Sequence, residues 1–215
     1  GTANYISKWT GASSQGNSPI YTDGTDVAIG STAFGVGGAI DLSVGNPGTT
    51  TGGITLWSTT SASHSLGFGD ANSGTARYEG YVEYNHGANY MRFGTVHAER
   101  MRITSDGKVG IGVIPEAWNT LFDVLQLGDG GALTGRTGNN QVDVMNNVYY
   151  DGNFKRINAG YASRFTQNVY GDFEFFTAAT AAADSAISFT ESMTILNNGN
   201  VGIGTNAPYY KLHAK

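Results

Sequence analysis

The chain contains no cysteine, which excludes a disulfide scaffold, a cysteine nucleophile and a thiolate metal site. It is also poor in charge: 13% of its 215 residues are Asp, Glu, Lys or Arg, against a usual share of about 25%. Long solvent-facing helices need Lys, Glu and Arg on their outer face, and too few are present to supply them. Basic residues are scarcest, 12 against 17 acidic ones, with none between Lys8 and Arg77. That is a poor footprint for phosphate backbones, so no nucleic acid partner is expected. No apolar run approaches the roughly 20 residues of a membrane span, and no basic-then-apolar signal opens the chain, so no membrane insertion is expected.

Glycine is abundant instead, 32 residues, alongside 40% apolar and 12% aromatic residues. The glycines keep no three-residue period, which excludes collagen. A chain rich in Gly, Ser, Thr, Asn and aromatic residues suits strands and tight turns. The expected fold class is therefore all-β, with at most one short helix near 115–123. There Pro115 precedes Trp118, Leu121, Phe122 and Leu125 at helical spacing. Ala178 to Ala183 reads as a small-residue loop between strands.

The most informative feature is an internal repeat. Glu99-Arg-Met101-Arg-Ile103-Thr-Ser-Asp106-Gly107-Lys-Val109-Gly110-Ile111-Gly112 aligns without a gap with Glu191-Ser-Met193-Thr-Ile195-Leu-Asn-Asn198-Gly199-Asn-Val201-Gly202-Ile203-Gly204. A looser copy, Ile20-Tyr-Thr-Asp23-Gly24-Thr-Asp-Val27-Ala28-Ile29-Gly30, precedes both. Each Asp/Asn-Gly pair predicts a type I′ hairpin turn. After the turn, Val109 and Ile111 share a face opposite Gly110 and Gly112, as Val201 and Ile203 do opposite Gly202 and Gly204. Bare glycine on one face lets a second backbone approach closely. The expected occupants are identical strands of neighbouring chains around an axis; the plainer alternative is a thin sandwich edge. The repeats divide the chain into an N-terminal connector hairpin (1–30), a first β module (31–114) and a second β module ending in a connector hairpin (115–215).

Within the first module, Gly80, Val82 and Tyr84 alternate with Tyr81, Glu83 and Asn85 ahead of a His86-Gly-Ala-Asn89 loop, a hairpin pattern rich in tyrosine. Ile54-Thr-Leu56-Trp57 and Leu66-Gly-Phe68 read as shorter strands. In the second module, Tyr149-Tyr150 and Phe154 flank the turn residues Asp151-Gly152-Asn153. Chemistry-bearing constellations are few. The four histidines, His64, His86, His97 and His213, have no metal-ligand spacing, so no metal and no cofactor is expected. Glu79 and Glu83 on one strand face would stand about 13 Å apart, beyond the roughly 5 to 9.5 Å of glycosidase carboxylate pairs. No catalytic residue is assigned, and the chain is not expected to be an enzyme. Aromatic rings are the stronger candidates for recognition, because sugars stack on them. Trp57, Tyr81, Tyr84, Tyr90, Tyr149 and Tyr150 form the candidate glycan-contact set.

At the repeated hairpins the sequence resembles a known family. Gly199-Asn-Val-Gly-Ile-Gly-Thr205-Asn-Ala-Pro208 followed by Lys211-Leu-His213 is similar to the GNVGIGTxxPxxKLHV signature of bacteriophage tail fibres and related bacterial adhesin-like fibres. Glu99-Arg-Met-Arg-Ile103 resembles the run that usually precedes it, and Gly1-Thr-Ala-Asn-Tyr-Ile-Ser-Lys-Trp-Thr-Gly11 resembles the start of such modules. Val113-Ile114 departs from the threonine that the family favours. The resemblance implies an elongated homotrimeric fibre of serial β-hairpin and sandwich-like modules, in which Gly110, Gly112, Gly202 and Gly204 become trimer-packing connectors. It implies a virion-tail, extracellular location. The expected partners are other copies of the chain, other tail or fibre proteins and a host-surface glycan or protein receptor. In many relatives the signature is followed by a C-terminal intramolecular chaperone domain. A bacterial surface fibre is the alternative expectation, and a polysaccharide-degrading tailspike the third.

Overall fold

A computed structural model describes residues 5–11, 14–22, 27–29, 42–44, 54–71 and 73–215. The chain forms two compact units, Gly1–Trp57 and Ser58–Lys215. The first unit contains β1 (Tyr5–Gly11), β2 (Ser14–Thr22), β3 (Val27–Ile29) and β4 (Leu42–Val44), paired in that order. The pairs β1–β2 and β2–β3 are antiparallel and β3–β4 is parallel. The Asp23-Gly24 turn expected between β2 and β3 lies outside the described residues.

The second unit begins with β5 (Ser63–Phe68), a single 3-10 turn at Thr75–Tyr78, β6 (Gly80–Asn85), β7 (Tyr90–Thr95), β8 (Ala98–Ile103) and β9 (Val109–Ile111). It continues with β10 (Phe122–Leu127), β11 (Gly131–Arg136), β12 (Val142–Asn146) and the small hairpin β13 (Tyr149–Tyr150) and β14 (Phe154–Lys155). The last strands are β15 (Gly160–Gln167), β16 (Phe173–Ala181), β17 (Thr190–Ile195), β18 (Val201–Ile203) and β19 (Leu212–Ala214). All but β13 and β14 join one thirteen-stranded sheet whose spatial order follows the chain. Neighbours are antiparallel except β9–β10 and β18–β19, which are parallel. The expected module boundary at residues 114 and 115 falls in the loop between β9 and β10, which pair with each other in this sheet.

The fold is all-β, as composition implied, and three local expectations are corrected. No helix forms over 115–123. Instead the Trp118 indole turns into the core and donates from Nε1 to Gln126 Oε1 at 3.0 Å, while Phe122 starts β10 and Leu121 stays exposed. Tertiary burial of two rings overrides a four-residue spacing pattern. The alanines continue β16 as far as Ala181, with Ala178 buried opposite Ala162. Residues 54–59 form no strand.

The two repeated turns among the described residues are not type I′. Only the glycine of each pair has positive φ, +83° at Gly107 and +80° at Gly199. Gly107 N–H donates to Thr104 O and Thr104 N–H to Lys108 O, at 3.0 and 2.9 Å. Gly199 and Leu196 repeat both bonds onto Leu196 O and Asn200 O, at 2.7 and 2.9 Å. This is the longer hairpin loop in which a turn is followed by a left-handed glycine.

Because directly opposed residues point to the same face, the pairings define the two sides of the sheet. One register row crosses all thirteen strands: His64, Tyr84, Met91, Ile103, Val109, Leu125, Leu133, Val144, Phe165, Phe175, Met193, Ile203 and Ala214. After the edge histidine every member is apolar or aromatic.

The opposite face carries the core of the unit. Trp118, Phe122, Val124, Ala132, Met145, Val148, Tyr149, Ala162 and Ala178 are buried there, with Tyr150, Phe154, Ile157, Ile187 and Phe189 packed against them. The covering layer is the β9–β10 connection, the β13–β14 hairpin and residues 182–189. Ile187 N–H donates to Phe154 O at 2.8 Å and Asn119 N–H to Tyr150 O at 2.6 Å, tying the layer together. Beneath it Arg164 lies against the rings of Phe154, Phe176 and Phe189, 4.4 to 5.2 Å from their centroids. Burial pushes its pKa down. Asp143, fully buried, accepts from the hydroxyl of Thr166 and the carboxamide of Gln141.

Candidate functional site

Three connectors share one architecture. In each, an antiparallel hairpin is followed by a strand that returns parallel to the second hairpin strand. Met101 opposes Ile111 and Ile103 opposes Val109; Met193 opposes Ile203 and Ile195 opposes Val201. Leu125 and Leu212 then lie beside Val109 and Val201, as Leu42 lies beside Val27. The sequence repeat marked the hairpins, but not the third strand, whose residues carry no repeated motif.

The connector glycines have two separate roles. A side chain on Gly110 would collide with the carbonyl oxygen of Val113 and the ring of Pro115, and one on Gly202 with the carbonyl oxygen of Thr205. The backbone that approaches these glycines is the chain's own return loop, where strands of neighbouring chains were expected. Gly112 and Gly204 both have φ of +70°, and their N–H groups donate to Arg100 O and Ser192 O at 2.8 and 3.0 Å. These two start the crossover in a conformation that L-residues rarely adopt.

Opposite these loops lies the apolar row, and within this unit much of it is open. Leu133, Val142 and Val144 are 45%, 46% and 52% exposed. Ile111, Leu127, Phe173, Phe175 and Ile203 are exposed on the same face. A shallow depression of about 410 Å³ lies among Val109, Leu125, Leu133 and Val142, where Gly107 and Gly135 contribute no side chain.

The candidate aromatic residues separate into distinct environments. Trp57 is 84% exposed. Tyr149 is buried, and its hydroxyl donates to Asp184 Oδ1 at 2.9 Å. Burial and this carboxylate push its pKa to about 12. Tyr150 is packed between Phe122 and Phe154, with centroids 5.2 and 5.0 Å away. Tyr149 is thus a core residue, and Tyr150 is partly buried against that core. Tyr84 lies on the apolar face, edge-on to His86, and its hydroxyl donates to Asn89 Oδ1. Tyr81 and Tyr90 lie on the other face, in a partly buried charged lattice that the sequence did not reveal.

That lattice alternates acid and base across three strands. Arg92 Nε and Nη2 donate to the two oxygens of Glu83 at 2.9 and 3.0 Å. Arg102 Nε and Nη2 donate to the two oxygens of Glu99, both at 2.7 Å. Arg92 Nη1 lies 3.6 Å from Glu99, which links the pairs. Hydrogen bonding from Arg102 holds the Glu99 carboxyl below its ordinary pKa, and the paired carboxylates raise both guanidinium values. Arg102 lies 4.0 Å from the Tyr90 ring centroid and Arg92 5.2 Å from that of Tyr81. The only sequence signal was alternation of charged and aromatic residues, which does not reveal register between strands.

Other titratable groups are dispersed. Glu79, expected on a strand with Glu83, precedes β6, and its carboxylate lies 3.1 Å from His97 Nε2. Burial, then the charge of Asp184, pushes the Glu116 carboxyl up; burial, then Glu174, does the same for Glu191. Among the described residues no three His, Asp or Glu side chains gather as metal ligands, and no helix is long and apolar enough to cross a membrane. Neither a protein-family model nor a curated protein matches this chain.

Proposed function

We propose that this chain is a structural and adhesive module of a bacteriophage tail fibre, which assembles as a homotrimer and attaches to a host surface. The observation that carries the proposal is the apolar row on the face of the thirteen-stranded sheet that this unit's own loops leave open. One exposed apolar side chain is ordinary, but a contiguous patch of this kind marks an interface. The middle connector extends the same face from β5–β8 to β10–β17 within one sheet, so copies can pack along that face. The depression beside Gly135 offers a recess for a side chain of a neighbouring copy. Family resemblance selects three copies, and threefold repetition turns weak surface contacts into avidity.

Light scattering of residues 1–215 behind a sizing column tests the assembly. The expected mass is three times the 22.6 kDa of one chain, and Val144→Asp, which puts a charge on the exposed row, should give a folded monomer. A wild-type monomer, or assembly indifferent to this substitution, overturns the trimeric role of the face. Attachment is tested by labelling whole host cells with the trimer, and failure to label any host of the parent virus overturns it.

A further inference from the structure

We propose that the polar face of β6–β8 binds neutral oligosaccharide, an assignment that rests on the adhesive function above. Along β10–β17 this face is roofed by the chain's own loops, whereas along β6–β8 Arg92, Glu99 and Arg102 remain 30%, 21% and 14% exposed at their side chains. The surface is neither apolar nor singly charged. Two carboxylates compensate two guanidinium groups, so a phosphate or acidic sugar gains no net attraction and meets the repulsion of Glu83 and Glu99.

Unused hydrogen-bonding capacity remains. Nη1 of Arg102 makes no hydrogen bond to the described residues, and Nη1 of Arg92 makes only the longer 3.6 Å ion pair with Glu99. The hydroxyls of Tyr81 and Tyr90 make no hydrogen bond to the described residues. Free donors thus lie beside carboxylate lone pairs, and a sugar hydroxyl both donates and accepts. The side chains are already fixed by bidentate pairing and by the arginine–tyrosine contacts, so binding costs little further ordering. Tyr81 is braced as well, because its ring occupies the space that a side chain on Gly94 would need.

Saturation-transfer difference NMR on the full chain tests this assignment. The probes are neutral hexasaccharides of glucose, galactose, rhamnose and N-acetylglucosamine, with heparin and polysialic acid as charged counter-probes. At least one neutral probe should bind, Arg102→Gln should weaken it about tenfold, and Tyr81→Phe, which removes only a hydroxyl, should weaken it less. Absence of neutral binding, stronger binding of a polyanion, or affinity unchanged in both variants overturns the assignment. Light scattering on the same samples separates the two proposals. An intact trimer that binds no sugar rejects this surface alone, and a monomer that binds sugar rejects the trimer alone.

Discussion

The carbonyl oxygen of Val113 occupies the space that a side chain on Gly110 would need, and Thr205 does the same over Gly202. Each return loop is seated on a strand by a missing methyl group. Gly110→Ala or Gly202→Ala must lift that loop, at a cost of about 1 to 3 kcal/mol. Gly67→Ala is the control, because its added carbon meets only Arg77 O at an ordinary 3.9 Å. Urea midpoints should fall for the first two variants and hold for the third.

Gly107 presents a different constraint. Among the described residues nothing lies within 4 Å of an added carbon, yet φ is +83°. Gly107→Ala should therefore cost about 1 to 2 kcal/mol from backbone conformation alone, and Gly107→Asn less, because asparagine tolerates the left-handed region. Equal midpoints for the two variants would show that crowding, not φ, sets the cost.

Gln126 anchors the return loop of the middle connector. Its Oε1 accepts from Glu116 N–H at 2.9 Å and Trp118 Nε1–H at 3.0 Å, while its buried Nε2 has no partner among the described residues. Gln126→Leu strands both donors and should cost about 2 to 4 kcal/mol. Thermal unfolding followed by tryptophan fluorescence reads the loss, and an unchanged transition would place the indole elsewhere.

Acid should loosen the β6–β8 lattice. The folded pKa of Glu99 lies below its ordinary value, so its ionised form stabilises the fold above about pH 4.3, and that contribution disappears as pH falls through the depressed value. Glu99→Gln should be less stable at pH 6 and lose less on acidification to pH 3. Glu116 has the opposite sign. Its raised pKa makes ionisation unfavourable in the fold, so Glu116→Gln should gain stability at pH 7 and lose that advantage below pH 4. Parallel denaturant curves across pH would contradict both assignments.

Some features are already set by local chemistry in the chain. Glycine-rich, charge-poor composition with alternating apolar residues leads to strands, and Asp/Asn-Gly at the same distance from Val-x-Ile in the two later copies places those hairpins. Those are short-range properties, fixed by φ preference and by the two-residue period of a strand. Only the tertiary structure decides that β10 and β19 return parallel to β9 and β18, because parallel pairing depends on the path of a connection and leaves no local pattern. It also decides which backbone fills the space over Gly110, which tyrosines enter the core and which remain outside. Trp118 illustrates the difference: its spacing matches a helix, but burial of its ring and one hydrogen bond to Gln126 outweigh that preference. The Glu83–Arg92 and Glu99–Arg102 lattice is likewise a product of register between strands, and register is set by the whole sheet.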